Sequence, residues 1–203
     1  MAFADLVGYS ALTFAHGDAE ALRVATTMVS IARASLVEDA RLVKTLGDGV
    51  LVAGPCPAVA RSAVALAMGA REIAGFPMMR IGVDFGDVLE LEGDLYGATV
   101  NVASRLCAAA RPGQIVCSAR AAAGLNAFKL SPLGSFRLKH VLRPMEVFEL
   151  LCGVAAAEML DPVCRMPVDW VSLHRAHEGT SYRFCSETCA AAFDAAPELY
   201  TGA

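Results

Sequence analysis

Residues 43–52, VKTLGDGVLV, set two β-branched runs around a Leu-Gly-Asp-Gly turn, and helix-periodic segments stand on either side of them. A turn of this composition joins antiparallel neighbours, because glycine and aspartate readily take the positive φ angles that tight hairpins need. The hairpin is expected over residues 41–53. Before it, Ala2 to Leu6 reads as a short strand. Residues 18–37 read as a helix capped by Asp18, with Leu22, Ala25, Met28, Val29, Ala32 and Leu36 at helical spacing. After it, residues 57–74 form a second helix, opened by Pro57 and closed before Gly75 and Pro77, and MMRIGVDFGDVLELEG supplies two strands broken near Gly86. Strand, helix, strand, strand, helix, strand is the order of a ferredoxin-like α+β fold, in which helices cover one face of an antiparallel sheet. Residues 99–110 then read as a helix, QIVCS as a strand, 119–125 as a short helix, and FKLSPLGSFRLKHVLRPMEVFEL as the strands that finish the sheet.

The 203 residues have room for one sizeable domain and a small one. The 17 Lys and Arg are dispersed and the formal net charge is −4, so no basic stripe exists for a nucleic-acid backbone. The mean hydropathy of +0.49 comes from alanine-rich helices. No segment has the roughly eighteen uninterrupted apolar residues of a membrane span, and MAFADLVGYS lacks the pattern of a signal peptide. A cytoplasmic protein is expected. Among seven cysteines, Cys56, Cys107, Cys117 and Cys152 lie singly among small apolar residues and read as buried hydrophobes. Cys164, Cys185 and Cys189 cluster near the C-terminal end, and in a reducing compartment such clustering favours a metal over a disulfide framework.

The polar residues that interrupt the apolar elements carry the chemistry. Asp5 ends the first strand and Asp48 tips the hairpin, and these elements are neighbours in a ferredoxin-like sheet. Unpaired, the two carboxylates would repel; divalent cations between them would relieve this, and hard oxygen ligands with substrate phosphates suit Mg²⁺. As turn formers near strand ends they would need no metal. In DLYGATVNVASRL, Asn101 and Arg105 are four apart and share a helix face, either as a solvated pair or as a phosphate-binding one.

FADLVGYS, VKTLGDGVLV, RIGVDFGDV and DLYGATVNVASRL, in this order, resemble the catalytic domain of class III nucleotide cyclases, the adenylate and guanylate cyclases, over residues 1–151. The resemblance implies the following roles. Asp5 and Asp48 bind two Mg²⁺ or Mn²⁺ ions, with the Leu6 carbonyl as an extra ligand. Lys44 and Asp94 select the purine, and the Lys donor and Asp acceptor favour ATP over GTP. Asn101 orients the ribose or assists the transition state, Arg105 stabilises charge on the α-phosphate, and Lys139 in RLKH contacts the triphosphate. Family members form head-to-tail dimers that split these groups between subunits, so a homodimer with composite sites is implied. Asp5 lies so close to the terminus that its strand is expected to fray, and Asp84 and Phe85 stand where the family has another polar pair.

Residues 152–160 read as a linker. From Asp161 the sequence DPVCRMPVDW…HEGTSYRFCSETCAAAFDAAPELY resembles the YHS domain, a small module of heavy-metal proteins, over 161–203. A treble-clef-like unit of this size needs a staple, and thiolates holding Zn²⁺ or Cu⁺ would supply one. Cys164, Cys185 and Cys189 are the expected ligands, with His174 or His177 as a fourth or as ordinary surface histidines. Trp170, Tyr182, Phe184, Phe193 and Tyr200 are expected in its core. The expected function is an adenylate cyclase making cyclic AMP and pyrophosphate from ATP, modulated by a metal-binding module. The alternative is a metal-sensing or metal-carrying protein whose cyclase-like part is a silent dimerisation scaffold. Retention of all the matched polar residues argues against it, since a scaffold need keep none.

Overall fold

The computed structural model describes residues 1–153 and 159–201; of the expected linker, 154–158 lie outside the described residues. β1 (Ala2–Leu6), α1 (Tyr9–His16), α2 (Asp18–Ala34), β2 (Arg41–Leu46), β3 (Gly49–Ala53), α3 (Cys56–Arg71) and β4 (Met79–Val83) form the expected core, with α1 as an unforeseen addition. Then follow β5 (Leu89–Leu91), β6 (Asp94–Tyr96), α4 (Ala98–Ala109), β7 (Ile115–Ser118), α5 (Ala119–Ala122), β8 (Leu130–Phe136) and β9 (Met145–Leu150). Seven strands make one sheet in the order β2-β3-β1-β4-β7-β9-β8, and β5 and β6 form a separate hairpin. The sheet is mixed, because β4 and β7 run parallel while the other pairs are antiparallel.

β1 does not sit at a fraying edge. It lies between β3 and β4 and is hydrogen-bonded to both, which places Asp5 opposite Gly49 on one side and Arg80 on the other. In α2 the buried stripe is Ala21, Val24, Met28 and Ala32: Met28 and Ala32 are as expected, Ala21 and Val24 stand in place of Leu22 and Ala25, and Leu22 is 64% exposed. Gly17 holds the N-cap position, so Asp18 is the first helical residue and makes no side-chain cap bond; its charge still complements the helix dipole.

α2 and α3 pack on one face of the sheet, over Ala2, Ala4, Val50, Val52, Ile81 and Val83. α4, beyond the core, packs on the opposite face, where Val102, Ala103 and Leu106 meet Leu51, Val116 and Val147. Gly82 permits that approach: a Cβ there would stand 2.2 Å from both the Ala103 carbonyl oxygen and the Cys107 amide nitrogen. Helix backbone thus lies directly on strand backbone, and this contact fixes the height of Asn101 and Arg105 above the sheet. Asp84, one of the unusual pair after β4, is fully buried, and Arg120 and Ser118 hydrogen-bond its carboxylate. Its effect is therefore structural: it ties the end of β4 to β7 and α5, as a buried carboxylate requires.

The C-terminal unit contains β10 (Leu173–His177), β11 (Thr180–Phe184), α6 (Glu187–Ala195) and a 3₁₀ turn at Pro197–Leu199. Its core is Val163, Cys164, Phe184, Cys189, Ala190 and Phe193, with Tyr182 and Tyr200 against it. Trp170 is not part of that core. It is 69% exposed, with the Arg183 guanidinium 5.5 Å above its ring. Among the described residues no helix is long and apolar enough to cross a membrane.

Candidate active site and cysteine cluster

The β2–β3 turn carries Asp48 beside the end of β1, since Asp5 pairs with Gly49. Burial, and then the charge of Asp5, push the Asp48 carboxyl above the ordinary aspartate range. Two acidic groups therefore share one small region, as the sequence expected. Arg80 on β4 donates to Asp5 Oδ2 through Nη2 at 2.8 Å and Nε at 3.2 Å. Among the described residues Arg80 is the cation that pairs with these carboxylates; it hydrogen-bonds Asp5 and acts on Asp48 through its charge alone. Hard oxygen donors held close at an energetic cost are the donor set a divalent ion fits.

A second group lies where β2 passes β6. Lys44 Nζ donates to Asp94 Oδ2 at 2.6 Å, and the Leu95 amide donates to Asp94 Oδ1 at 2.7 Å. The two expected purine-selecting residues thus meet as a donor beside an acceptor. The Lys44 ammonium and the Leu95 amide hold the Asp94 carboxyl below its ordinary range. Asn101 and Arg105 both lie on α4, and among the described residues neither side chain makes a hydrogen bond or ion pair within the chain. Lys139 is exposed in the turn between β8 and β9 and is not drawn to either group.

In the C-terminal unit, Cys164 Sγ is 3.4 Å from Cys185 Sγ, which is 3.7 Å from Cys189 Sγ. The expected fourth partner is elsewhere. His174 is exposed, and His177 packs edge-on against Phe193 with ring centroids 5.9 Å apart. His16, the last residue of α1, instead brings Nε2 to 3.5 Å from Cys185 Sγ and 3.6 Å from Cys189 Sγ. The donor atoms of His16, Cys164, Cys185 and Cys189 all lie within 4.8 Å of one another. Crowding sets the thiols apart: the Cys164 hydrogen bond pulls Cys185 down to about 6, while burial pushes Cys189 up to about 12.

Sequence reading passed over three residues here. Arg80 sits in the quoted RIGVDFGDV, and strand pairing alone brings it to Asp5. Asp161, fully buried, accepts from the amides of Val163 and Cys164 through Oδ1 and of Cys185 through Oδ2. An aspartate two and three residues before amides it can bond is a turn signature, so this one was legible. His16 stands 169 residues before Cys185 and carried no local signal.

The family model described as the adenylate and guanylate cyclase catalytic domain matches residues 1–151, and that of the YHS domain matches 159–203. An uncharacterised protein of Mycobacterium tuberculosis is 35% identical over 150 residues, covering 73% of this chain and 40% of its own. The pH-sensitive adenylate cyclase of the same species is 32% identical over 160 residues, covering 75% of this chain and 40% of that one. Among solved structures, an adenylate cyclase of Trypanosoma brucei in its monomeric state superposes with a TM-score of 0.64 at 21% identity, over 74% of this chain and 88% of that one. This chain spans about 40% of the length of the two Mycobacterium proteins.

Proposed function

The chain belongs to the adenylate and guanylate cyclase family through residues 1–151 and carries a YHS domain after it, and from that membership we propose that it is an adenylate cyclase converting ATP to 3′,5′-cyclic AMP and pyrophosphate. The observation that carries the choice of base is the Lys44–Asp94 pair. Adenine offers an exocyclic amine donor and a ring-nitrogen acceptor; Asp94 accepts the first and Lys44 donates to the second. Guanine reverses that pattern and would leave both groups unpaired, an error worth up to about 10⁴-fold where a site is built on hydrogen bonds.

Cyclisation is an in-line displacement at the α-phosphorus, so the chain must position groups and neutralise charge rather than supply a nucleophile. Asp5 and Asp48 would hold two Mg²⁺ or Mn²⁺ ions, with the Leu6 carbonyl as a further ligand; bound there, the ions supply acidification of the ribose 3′-hydroxyl and a counter-charge for the leaving phosphates. Arg105 projects a permanent positive fork toward the α-phosphate, and Asn101, one turn away, orients the ribose. Lys139 contacts the triphosphate. Arg80 holds the Asp5 carboxylate in position through its two hydrogen bonds.

Among the described residues, Asn101 and Arg105 make no side-chain hydrogen bond or ion pair within their own chain, which supports a homodimer whose composite sites join them to the acidic pair of a second copy. The β5–β6 hairpin leaves Leu89 75% exposed, Leu91 63% and Tyr96 50%, an apolar surface suited to that contact. A cytoplasmic location fits seven free cysteines.

Purified protein incubated with ATP and Mn²⁺ or Mg²⁺ is expected to release cyclic AMP; no product with either ion overturns the reading. Base selection has its own test. Lys44→Glu with Asp94→Ser exchanges the donor and acceptor, so kcat/KM with ATP is expected to fall by about 10²-fold while the GTP to ATP ratio rises. An unchanged ratio would show that these residues do not read the base.

A further inference from the structure

The cysteine cluster is not a property of the C-terminal unit alone. A tetrahedral Zn²⁺ with Zn–S bonds near 2.3 Å and a Zn–N bond near 2.05 Å has edges of about 3.8 Å between sulfurs and about 3.6 Å between sulfur and nitrogen. The separations here are 3.4 and 3.7 Å between thiols and 3.5 and 3.6 Å from His16 Nε2 to two of them. The other two separations, from Cys164 to Cys189 and to His16, lie within 4.8 Å, so four donors from three places in the chain are gathered closely enough for one tetrahedral ion. The arrangement is held from behind. Asp161 fixes the amides of Cys164 and Cys185, and Ser186 Oγ accepts from the Cys189 amide at 3.3 Å while capping α6.

We propose that Zn²⁺ binds a Cys₃His site made of Cys164, Cys185, Cys189 and His16, shared between the cyclase unit and the C-terminal unit, and that its occupancy sets the cyclase rate through α1. The regulatory half rests on the cyclase reading above; the binding half does not.

Helix α1 is the mechanical link. It is eight residues long, about 12 Å at 1.5 Å per residue, and His16 is its last residue. Its other end is Gly8, only three residues after Asp5 in ADLVG. The C-terminal unit touches that end too: a Cβ on Gly8 would stand 2.3 Å from Arg165 Cβ. Gly8 has φ +76°, so both space and backbone conformation call for glycine there. Ala15, on the last turn of α1, packs against the small core around Val163 and Phe193. A metal bound to His16 thus pins the helix at one end while Arg165, next to the ligand Cys164, braces it at the other. The segment carrying Asp5 and the Leu6 carbonyl is then held in place, and preorganising it raises the rate.

The test uses the full chain under reducing conditions. Co²⁺, a spectroscopic stand-in for Zn²⁺, is expected to bind one ion per chain with the intense visible bands of tetrahedral sulfur and nitrogen coordination. His16→Ala should weaken Zn²⁺ at least about 10²-fold and change the cobalt spectrum, as loss of a direct ligand exceeds the 10- to 100-fold typical of groups behind the ligands. His174→Ala and His177→Ala should bind as wild type. A His16→Ala protein with unchanged affinity and spectrum overturns the site. For the regulatory half, Zn²⁺ loading is expected to raise cyclic AMP production about fivefold or more in wild type and not in His16→Ala. No rise, or an equal rise in that variant, overturns the coupling. A chain making no cyclic AMP under any condition overturns the cyclase reading, and the coupling with it, while the cobalt spectra still decide the site.

Discussion

Asp48→Asn is expected to lower cyclic AMP production by about 10³-fold or more and, at neutral pH, to raise the melting temperature of the metal-free protein. Both effects have one cause. Asp48 is held beside Asp5 and partly out of water, so its carboxyl titrates above the ordinary aspartate value of the unfolded chain. A folded-state pKa raised in this way means that the native state binds the proton more tightly. The stability contribution is therefore present at low pH, is lost as pH rises from the ordinary aspartate range through the raised folded value, and is gone above it. At neutral pH the ionised Asp48 is a cost, and asparagine, which mimics the protonated form, removes it. The advantage of the variant should emerge as pH climbs out of the carboxylate range and then stay constant. Mg²⁺ reverses the order by stabilising the wild type and hardly affecting the variant. Thermal melts across pH with and without Mg²⁺, beside a cyclic AMP assay, check each arm. A variant that keeps a tenth of the activity, or melts lower than wild type without metal, would show that Asp48 is an ordinary turn residue.

That conflict between stability and chemistry explains why this part of the site was legible. Two aspartates at strand ends, flanked by apolar runs, serve no packing purpose, and the fold order alone made their strands neighbours. Lys44 and Asp94 were legible only through their resemblance to a family, since no local pattern says that a lysine on β2 will meet an aspartate on β6. α1 escaped notice because YSALTFAH is a single short run between two glycines, too brief for periodicity to register. His16 went with it. The YHS sequence offered two histidines near the cysteines, and proximity along the chain was the wrong guide. One of them packs on Phe193, whereas the histidine that reaches the thiols arrives through tertiary structure from the other end of the sequence. Trp170 was misplaced for a related reason: an aromatic in a small unit reads as core, but four others already fill this one, and Trp170 takes the surface with Arg183 across its face.

Mixing two inactive proteins should restore activity, and this is the most demanding consequence of the proposed composite site. Arg105→Ala removes the charge proposed to steady the α-phosphate and should cost about 10²- to 10³-fold; Asp48→Ala should cost at least as much. In a head-to-tail dimer the acidic pair of one copy faces the Asn101–Arg105 face of the other. A dimer of one Asp48→Ala chain and one Arg105→Ala chain then has one site with both defects and one with neither. Random pairing makes half the dimers mixed, and half of their sites are intact, so the mixture should recover about a quarter of wild-type activity. A chain carrying both substitutions acts in the opposite way, because each site of its mixed dimer with wild type contains one defect; added in equal amount, it should halve the activity of the wild type. If each chain held a complete site of its own, the first mixture would stay inactive and the second would leave wild type untouched. One physical observation supports the proposed shared arrangement. Among the described residues, the guanidinium and the amide on one helix face, fixed in height by the backbone contact at Gly82, make no hydrogen bond or ion pair within the chain, and ATP held at the proposed metal site of a second copy would bring them phosphate and ribose oxygens.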